Sequence, residues 1–379
     1  MVALGALETL TYNDAVRKDE WDAFINKPDW KFGFVTYDYK NYVESGLVSE
    51  KIDGIDMPTI YFFIPKYLIS FYNGKIEIGV NAEADLAAFY TLLEAPVERI
   101  SMKAPVQPLP RISKETYLKQ VADIQHHIKE GDIYEMNYCM EFFSRDVDIQ
   151  PVAVFEKLCH LALAPFSVFF RLEDKYLLCS SPERYLKKSK QKLISQPIKG
   201  TIKRGDDEQK DRNLAEALKN NEKERAENIM IVDLVRNDLA KIADKNSVAV
   251  EELCGLYTFK TVHQLISTVS CLLSKDVALS DVFEATFPMG SMTGAPKRNA
   301  MIFAEQYEHS KRGLYSGTVG YVTPAGNFDF NVVIRSILYN QTNRYVSLHV
   351  GSAITAESNP EQEYEECLLK AESLLKALQ

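Results

Sequence analysis

The chain has 379 residues, 46% hydrophobic and 26% charged, with 44 Lys and Arg against 53 Asp and Glu and a formal net charge of −9. This is the composition of an acidic globular protein, and it excludes a small disulfide scaffold. The acidic balance argues against nucleic acid as the main partner, because phosphate backbones are held by concentrated Lys and Arg; a compact anionic substrate stays open.

Residues 1–100 alternate aromatic and β-branched runs with turn residues, as in FGFVTYDY and TIYFFIPKYLISFY, which predicts antiparallel strands. A seam follows at Met102–Ile112, which carries Pro105, Pro108 and Pro110. Ser113 then opens a helix whose apolar positions Tyr117, Val121, Ile124 and Ile128 keep helical spacing until Gly131. A second helical region is expected from about Asp206 to Ile242, and strands at YSGTVGYVT, FDFNVVIRSILY and YVSLHV. The C-terminal helix has a clear start: Asn359 is a good N-cap, Pro360 suits the first position, and Glu361 and Glu363 complement the helix dipole. Helices and strands come in blocks without regular βαβ alternation, so the expected class is α+β. No repeat or low-complexity tract is visible. We expect a short strand-rich N-terminal part, residues 1–110, continuous with a catalytic region, residues 111–379.

Six cysteines, Cys139, Cys159, Cys179, Cys254, Cys271 and Cys367, form no CxxC pair and no zinc-type spacing, and read as thiols of a reducing cytoplasm. The start MVALGALETLTYND has no basic region leading into an apolar core, and no stretch approaches 18 apolar residues, so neither export nor a membrane span is expected.

Several segments could carry chemistry. In QPIKGT, Lys199 lies between a Pro that restrains the chain and a Gly that frees it; a nucleophilic lysine there must be neutral, while a solvated turn lysine has the same local sequence. Glu224 with Glu227, and Glu363 with Glu366, are spaced i, i+3 on expected helices. Two such faces could hold a hard cation such as Mg²⁺, or each could be plain helix surface. IMIVDLVRNDL sets Asp233, Arg236, Asn237 and Asp238 in an apolar run, where structural pairing is the simpler explanation. FPMGSMTGAPK precedes a helix and could point backbone N–H groups at an anion, or be a sharp turn; it lacks the P-loop spacing. Arg335 interrupts an apolar strand, as a carboxylate clamp would. His263 fits a packed histidine at least as well as a catalytic one. Glu183, in SSPERY, could be a general acid or a turn carboxylate, and Tyr315 lies in LYSG.

Taken in order, SPERY, PIKGT, RAENIMIVDLVRNDLAKI, VHQLISTV, FPMGSMTGAPK, YSGTVGYV, IRS and SNPEQEYEECLLKA resemble the chorismate-utilising enzymes, over roughly residues 113–378 or about 70% of the chain. FGFVTYDYKN is similar to the family's N-terminal aromatic strand segment. The resemblance implies large, mostly antiparallel sheets packed as a sandwich with helices outside. Within the family, anthranilate synthases usually have Ala in place of Lys199 and SGAPK where this chain reads TGAPK, so the likeness is nearest to the aminodeoxychorismate synthase branch.

The chemistry this implies is attack of Lys199 on C2 of chorismate as the C4 hydroxyl leaves, then addition of ammonia at C4 to give 4-amino-4-deoxychorismate, on the route to folate. Glu183 would protonate the leaving hydroxyl. The resemblance also implies Mg²⁺ on Glu227 and Glu366, with Glu224 and Glu363 as direct or water-mediated partners, and substrate contacts from Gly200, Thr201, Tyr315, Arg335 and the Gly351-Ser352-Ala353 loop. Arg335 would take the enolpyruvyl carboxylate, and His263 matches a histidine near the ring.

Two positions depart from the family pattern. Glu135 stands where amide-transferring members usually have Gln and isochorismate or salicylate synthases a water-activating Lys, and Ala353 replaces the second glycine of a Gly-x-Gly loop. No tryptophan-binding segment is recognised, so tryptophan inhibition is not expected. No Cys has a nucleophile-elbow context, so ammonia is expected from solution or from a separate glutamine amidotransferase subunit. The rivals are anthranilate synthase, isochorismate synthase and a silent scaffold subunit; retention of Lys199, Glu183 and all four helix carboxylates argues against the last.

Overall fold

The computed structural model describes residues 1–13, 15–81, 86–96 and 104–379. Among these, two antiparallel sheets of eleven and seven strands pack face to face with helices on their outer sides, the sandwich that the resemblance implied. Alternation along each strand assigns the layers. Phe34 and Tyr61 of the large sheet meet Leu177, Cys179 and Leu338 of the small one between the sheets. Their neighbours Val35 and Phe62 turn outward to helices Lys18–Ile25, Glu222–Ala240 and Leu279–Thr286. Leu178, Ile337 and Tyr339 turn outward to helices Lys114–Glu130, Pro151–Ala162 and Pro360–Ala377.

The expected N-terminal strands are Val2–Tyr12, Lys31–Val35, Ile60–Tyr72 and Lys75–Val80. Lys31–Val35 pairs with Thr318–Val322, so this part of the chain completes a sheet that later residues begin. Of the proline-bearing seam, Met102 and Lys103 lie outside the described residues, and Leu109–Pro110 pairs with Phe142 and Phe143 of the small sheet. Both helix starts read from the sequence are built as expected. The Ser113 side chain accepts from the Thr116 N–H, Gly131 ends that helix at φ 87°, and Asn359 accepts from the N–H groups of Glu361 and Gln362.

Two expected elements are divided. The 206–242 region is two helices, Glu208–Lys219 and Glu222–Ala240, because the Asn221 side chain takes the Glu224 N–H and starts a new helix. FDFNVVIRSILY is two strands, Phe328–Asn331 in the large sheet and Ser336–Asn340 in the small one, with Arg335 at φ 50° in the crossing. The chain crosses the same way at Pro182–Glu183, between Lys175–Ser181 and Arg184–Ser189. The two crossings are bonded together: the Val332 N–H donates to the Glu183 carbonyl and the Ser180 N–H to the Arg335 carbonyl, each at 3.0 Å. Glu183 and Arg335 therefore both belong to one tied junction where the chain passes between the sheets. Among the described residues, no helix is long and apolar enough to cross a membrane.

The close approach of strands in the large sheet is testable at Gly33, where an added Cβ would lie 2.2 Å from the Tyr61 carbonyl oxygen and 2.5 Å from the Phe62 ring. Gly33→Ala is expected to lose about 1–3 kcal/mol of stability, read as a lower urea midpoint at unchanged slope. An unshifted midpoint would contradict this packing.

Candidate active site

Lys199 lies on Ile198–Lys203, the terminal strand of the large sheet, where pairing with Val262–Leu272 is irregular between Ile198 and Thr201. Gly200 takes φ 87° there, and a Cβ on it would stand 3.2 Å from Glu224 Oε2; only glycine joins that conformation to that approach without strain. The Lys199 side chain crosses to the small sheet. Its Nζ donates to Glu135 Oε1 at 2.8 Å and lies 3.8 Å from Glu227 Oε2. Burial works against the charge on Lys199, but Glu135 and then Glu227 outweigh it and hold the lysine above its ordinary pKa. The amine is thus an ammonium in this state.

Glu183 is 4% exposed. Burial pushes its carboxyl up to about 7, against the opposing effects of the Ser291 hydroxyl, Lys199 and the Ile198 backbone. A carboxyl so tuned is half protonated near neutrality and can give or take a proton. Ser291 comes from the Phe287–Lys297 segment read as an anion-facing turn, so one anion this turn meets is the protein's own carboxylate. In the same segment Lys297 bonds to Asp238, which also pairs with Lys241, while Arg236 pairs with Asp233.

The two acidic pairs converge from helices Glu222–Ala240 and Pro360–Ala377. Burial raises Glu227 to about 7, Lys199 opposes this, and Glu135 and Glu224 add to it; burial and then Glu366 raise Glu224. Three lysines answer this excess of negative charge. Lys199 stands by Glu227, Lys223 lies 3.8 Å from Glu227 and 3.5 Å from Glu363, and Lys370 bonds to Glu366 at 2.6 Å. Among the described residues, no group of three His, Cys, Asp or Glu side chains is arranged to hold a metal ion. The donor chemistry, four carboxylates on facing helices, nevertheless fits a hard oxygen-bound cation.

The remaining predicted residues fall into two sets. Arg335 is half-buried and has no hydrogen-bonding partner among the described side chains; burial lowers its pKa, while Tyr315 and Glu366 favour its charge. Tyr315 is buried, stacked on His349, and bonded to the Cys139 thiol. Gly351 lies opposite Cys139 in the strand pair that carries Glu135, and its carbonyl accepts from Lys370 at 2.8 Å. Ser352 turns away, its hydroxyl bonded to Tyr117, so only its backbone faces the same way as the loop. Ala353 faces Asn137 across the same pair. Thr201 accepts from Gln264 at 3.2 Å. His263 is buried, with one ring nitrogen 2.9 Å from Thr258 and the other 2.9 Å from Asp211.

Lys223, Lys370 and Ser291 are site residues that the sequence alone does not mark, and Glu135 stands out there only as a departure from the family pattern. Lys370 was findable as the i+4 partner of Glu366 on one helix face. Ser291 and Glu135 were not, because strand pairing and loop packing bring them in.

A family model described as chorismate binding enzyme matches residues 5–376. The chain belongs to the chorismate binding enzyme family. This chorismate binding enzyme is 39% identical over 270 residues to a probable chloroplastic aminodeoxychorismate synthase of Oryza sativa subsp. japonica, covering 70% of this chain and 30% of the relative. It is 32% identical over 360 residues to anthranilate synthase component 1 of Thermus thermophilus, covering 92% of this chain and 77% of the relative. It spans between 29% and 42% of the length of three relatives named aminodeoxychorismate synthase. In fold it resembles the crystal structure of anthranilate synthase component I from Streptococcus pneumoniae, with a TM-score of 0.88 over 98% of this chain and 91% of that one, at 24% identity.

The raised pKa of Glu183 gives a signed stability prediction. The folded protein keeps a proton between the ordinary value of 4.5 and about 7, so this group lowers stability as pH rises through that window. Glu183→Gln removes the effect: at pH 8 the variant should be more stable than wild type by about 1–3 kcal/mol, and below pH ~4.5 the advantage should vanish. Denaturant unfolding at the two pH values checks it, and a pH-independent difference would contradict the burial argument.

Proposed function

We propose that this enzyme converts chorismate and ammonia to 4-amino-4-deoxychorismate, as an aminodeoxychorismate synthase component 1, through a covalent bond between Lys199 and the ring. The observation that carries this reading is the Lys199 amine, part-buried at the meeting of two sheets, 2.8 Å from Glu135, with the tuned Glu183 carboxyl beside the same strand. Covalent catalysis by a lysine at this position would split one hard displacement into two easier ones.

In this reading Lys199 Nζ attacks C2 while the C4–O bond breaks, and Glu183 gives its proton to the departing hydroxyl to form water. Ammonia then bonds to C4 and the C2–Nζ bond breaks. Arg335, half-buried and unpaired, holds the enolpyruvyl carboxylate, and Tyr315 and the Gly351 backbone bound the ring pocket. Mg²⁺ is part of the proposal: Glu227 and Glu366 would hold it, with Glu224 and Glu363 as further partners, and its charge would neutralise the ring carboxylate. Lys223 and Lys370 neutralise the same carboxylates when the cation is away. We infer a separate glutaminase subunit as the source of ammonia; the name component 1 of the Thermus relative is in keeping with this.

Incubation with chorismate, Mg²⁺ and ammonium, with products resolved by mass spectrometry, should give aminodeoxychorismate from wild type and at least ~100-fold less from Lys199→Ala. Anthranilate or isochorismate as the main product would reject this branch of the family. Chelation with EDTA should abolish turnover and added Mg²⁺ restore it; undiminished turnover after chelation would remove the metal from the proposal.

A further inference from the structure

A lysine that attacks carbon must first lose the proton that its amine ordinarily carries near neutral pH. The acceptor is constrained by geometry. Among the described residues, Glu135 Oε1 is the acceptor within hydrogen-bond distance of Lys199 Nζ, at 2.8 Å, while Glu227 stands off at 3.8 Å. Glu135 is 1% exposed, and its other oxygen, Oε2, is buried with no hydrogen-bond partner among the described residues. An unpartnered buried carboxylate oxygen is costly and calls for an explanation in a native fold. A proton passed to this carboxyl neutralises Glu135 as Lys199 becomes neutral, so no isolated buried charge is left behind.

We propose that Glu135 is a further catalytic residue, the base that takes the Lys199 proton and returns it when the bond to the ring is broken. This rests on the reading of Lys199 as nucleophile. The cycle balances. The proton passes from Nζ to Glu135, and the freed pair on Nζ forms the bond to C2. The ring double bonds shift, C4–O breaks, and the Glu183 proton leaves with the hydroxyl as water. An ammonium ion then gives one proton to the Glu183 carboxylate, and the resulting ammonia bonds to C4. C2–Nζ breaks with its pair returning to Nζ, and Glu135 gives back the proton, restoring the ion pair seen here. A glutamine at this position could hold Lys199 in place but could not carry the proton.

The test omits ammonia, so that only the first half-reaction is read. Wild type, Glu135→Gln and Glu135→Asp are mixed with chorismate and Mg²⁺, quenched at intervals, and weighed as intact protein and as the peptide bearing Lys199. Expected is a Lys199 adduct in wild type, formation at least ~100-fold slower in Glu135→Gln with chorismate affinity within about threefold, and a rate in Glu135→Asp at least ~10-fold above that of Glu135→Gln. An adduct formed by Glu135→Gln at the wild-type rate or faster would overturn the proposal, because Glu135 would then only be holding the lysine charged. Equal rates in the two variants would overturn it as well, since a shorter carboxylate would have gained nothing over an amide. No Lys199 adduct in a wild type that still aminates chorismate would reject the nucleophile reading itself, whatever the variants do.

Discussion

The part-buried contact between Lys199 and Glu135 joins the edge of one sheet to the other, and the rest of the site is arranged around it. Two charges removed from water carry a desolvation penalty that their attraction offsets only with good geometry, so a pair of this kind is weak evidence for stability. Here the geometry is good on one oxygen and absent on the other. Such a pair is better understood as a chemical device than as a fastening. A single hydrogen bond of 2.8 Å is the distance over which a proton can be passed between an amine and a carboxylate.

The two sheet crossings do for Glu183 and Arg335 what the terminal strand does for Lys199. A chain leaving one sheet for the other breaks its alternation, and at the break a side chain can point along the seam instead of into a core layer. Glu183 and Arg335 each occupy such a break, and the crossings are tied to each other by two backbone hydrogen bonds. The environments then separate the titrations. Glu183, enclosed and weakly countered, is raised to about 7, while Lys370 holds Glu366 below its ordinary value although burial alone would raise it.

Much of this was readable along the chain. The helix caps at Ser113, Gly131 and Asn359 are local chemistry and could be placed from a few residues each. So could the acidic pairs on their helices and the conformational freedom at Gly200, although that segment is a strand, Ile198–Lys203, and not a turn. The break at Asn221 was also local, but a run of good helix formers on both sides hid it. The crossing inside FDFNVVIRSILY was hidden for another reason: an apolar β run looks the same whether it stays in one sheet or passes between two, because both faces of each sheet are covered here.

Spacing and composition are therefore sufficient for element type, for the capped ends, and for the order of motifs that marks the family, since each depends on neighbours within a turn or two of chain. They are silent on which groups meet. Glu135 and Lys199 are 64 residues apart, as the pairing of strands from different sheets requires, and Lys223 reaches Glu363 across 140. Burial, the charged state of Lys199, the empty acceptor on Glu135 and the engagement of both His263 nitrogens with Thr258 and Asp211 exist only once those strands and helices are packed. Desolvation and Coulomb interaction depend on distance through space, and distance along the chain does not report it.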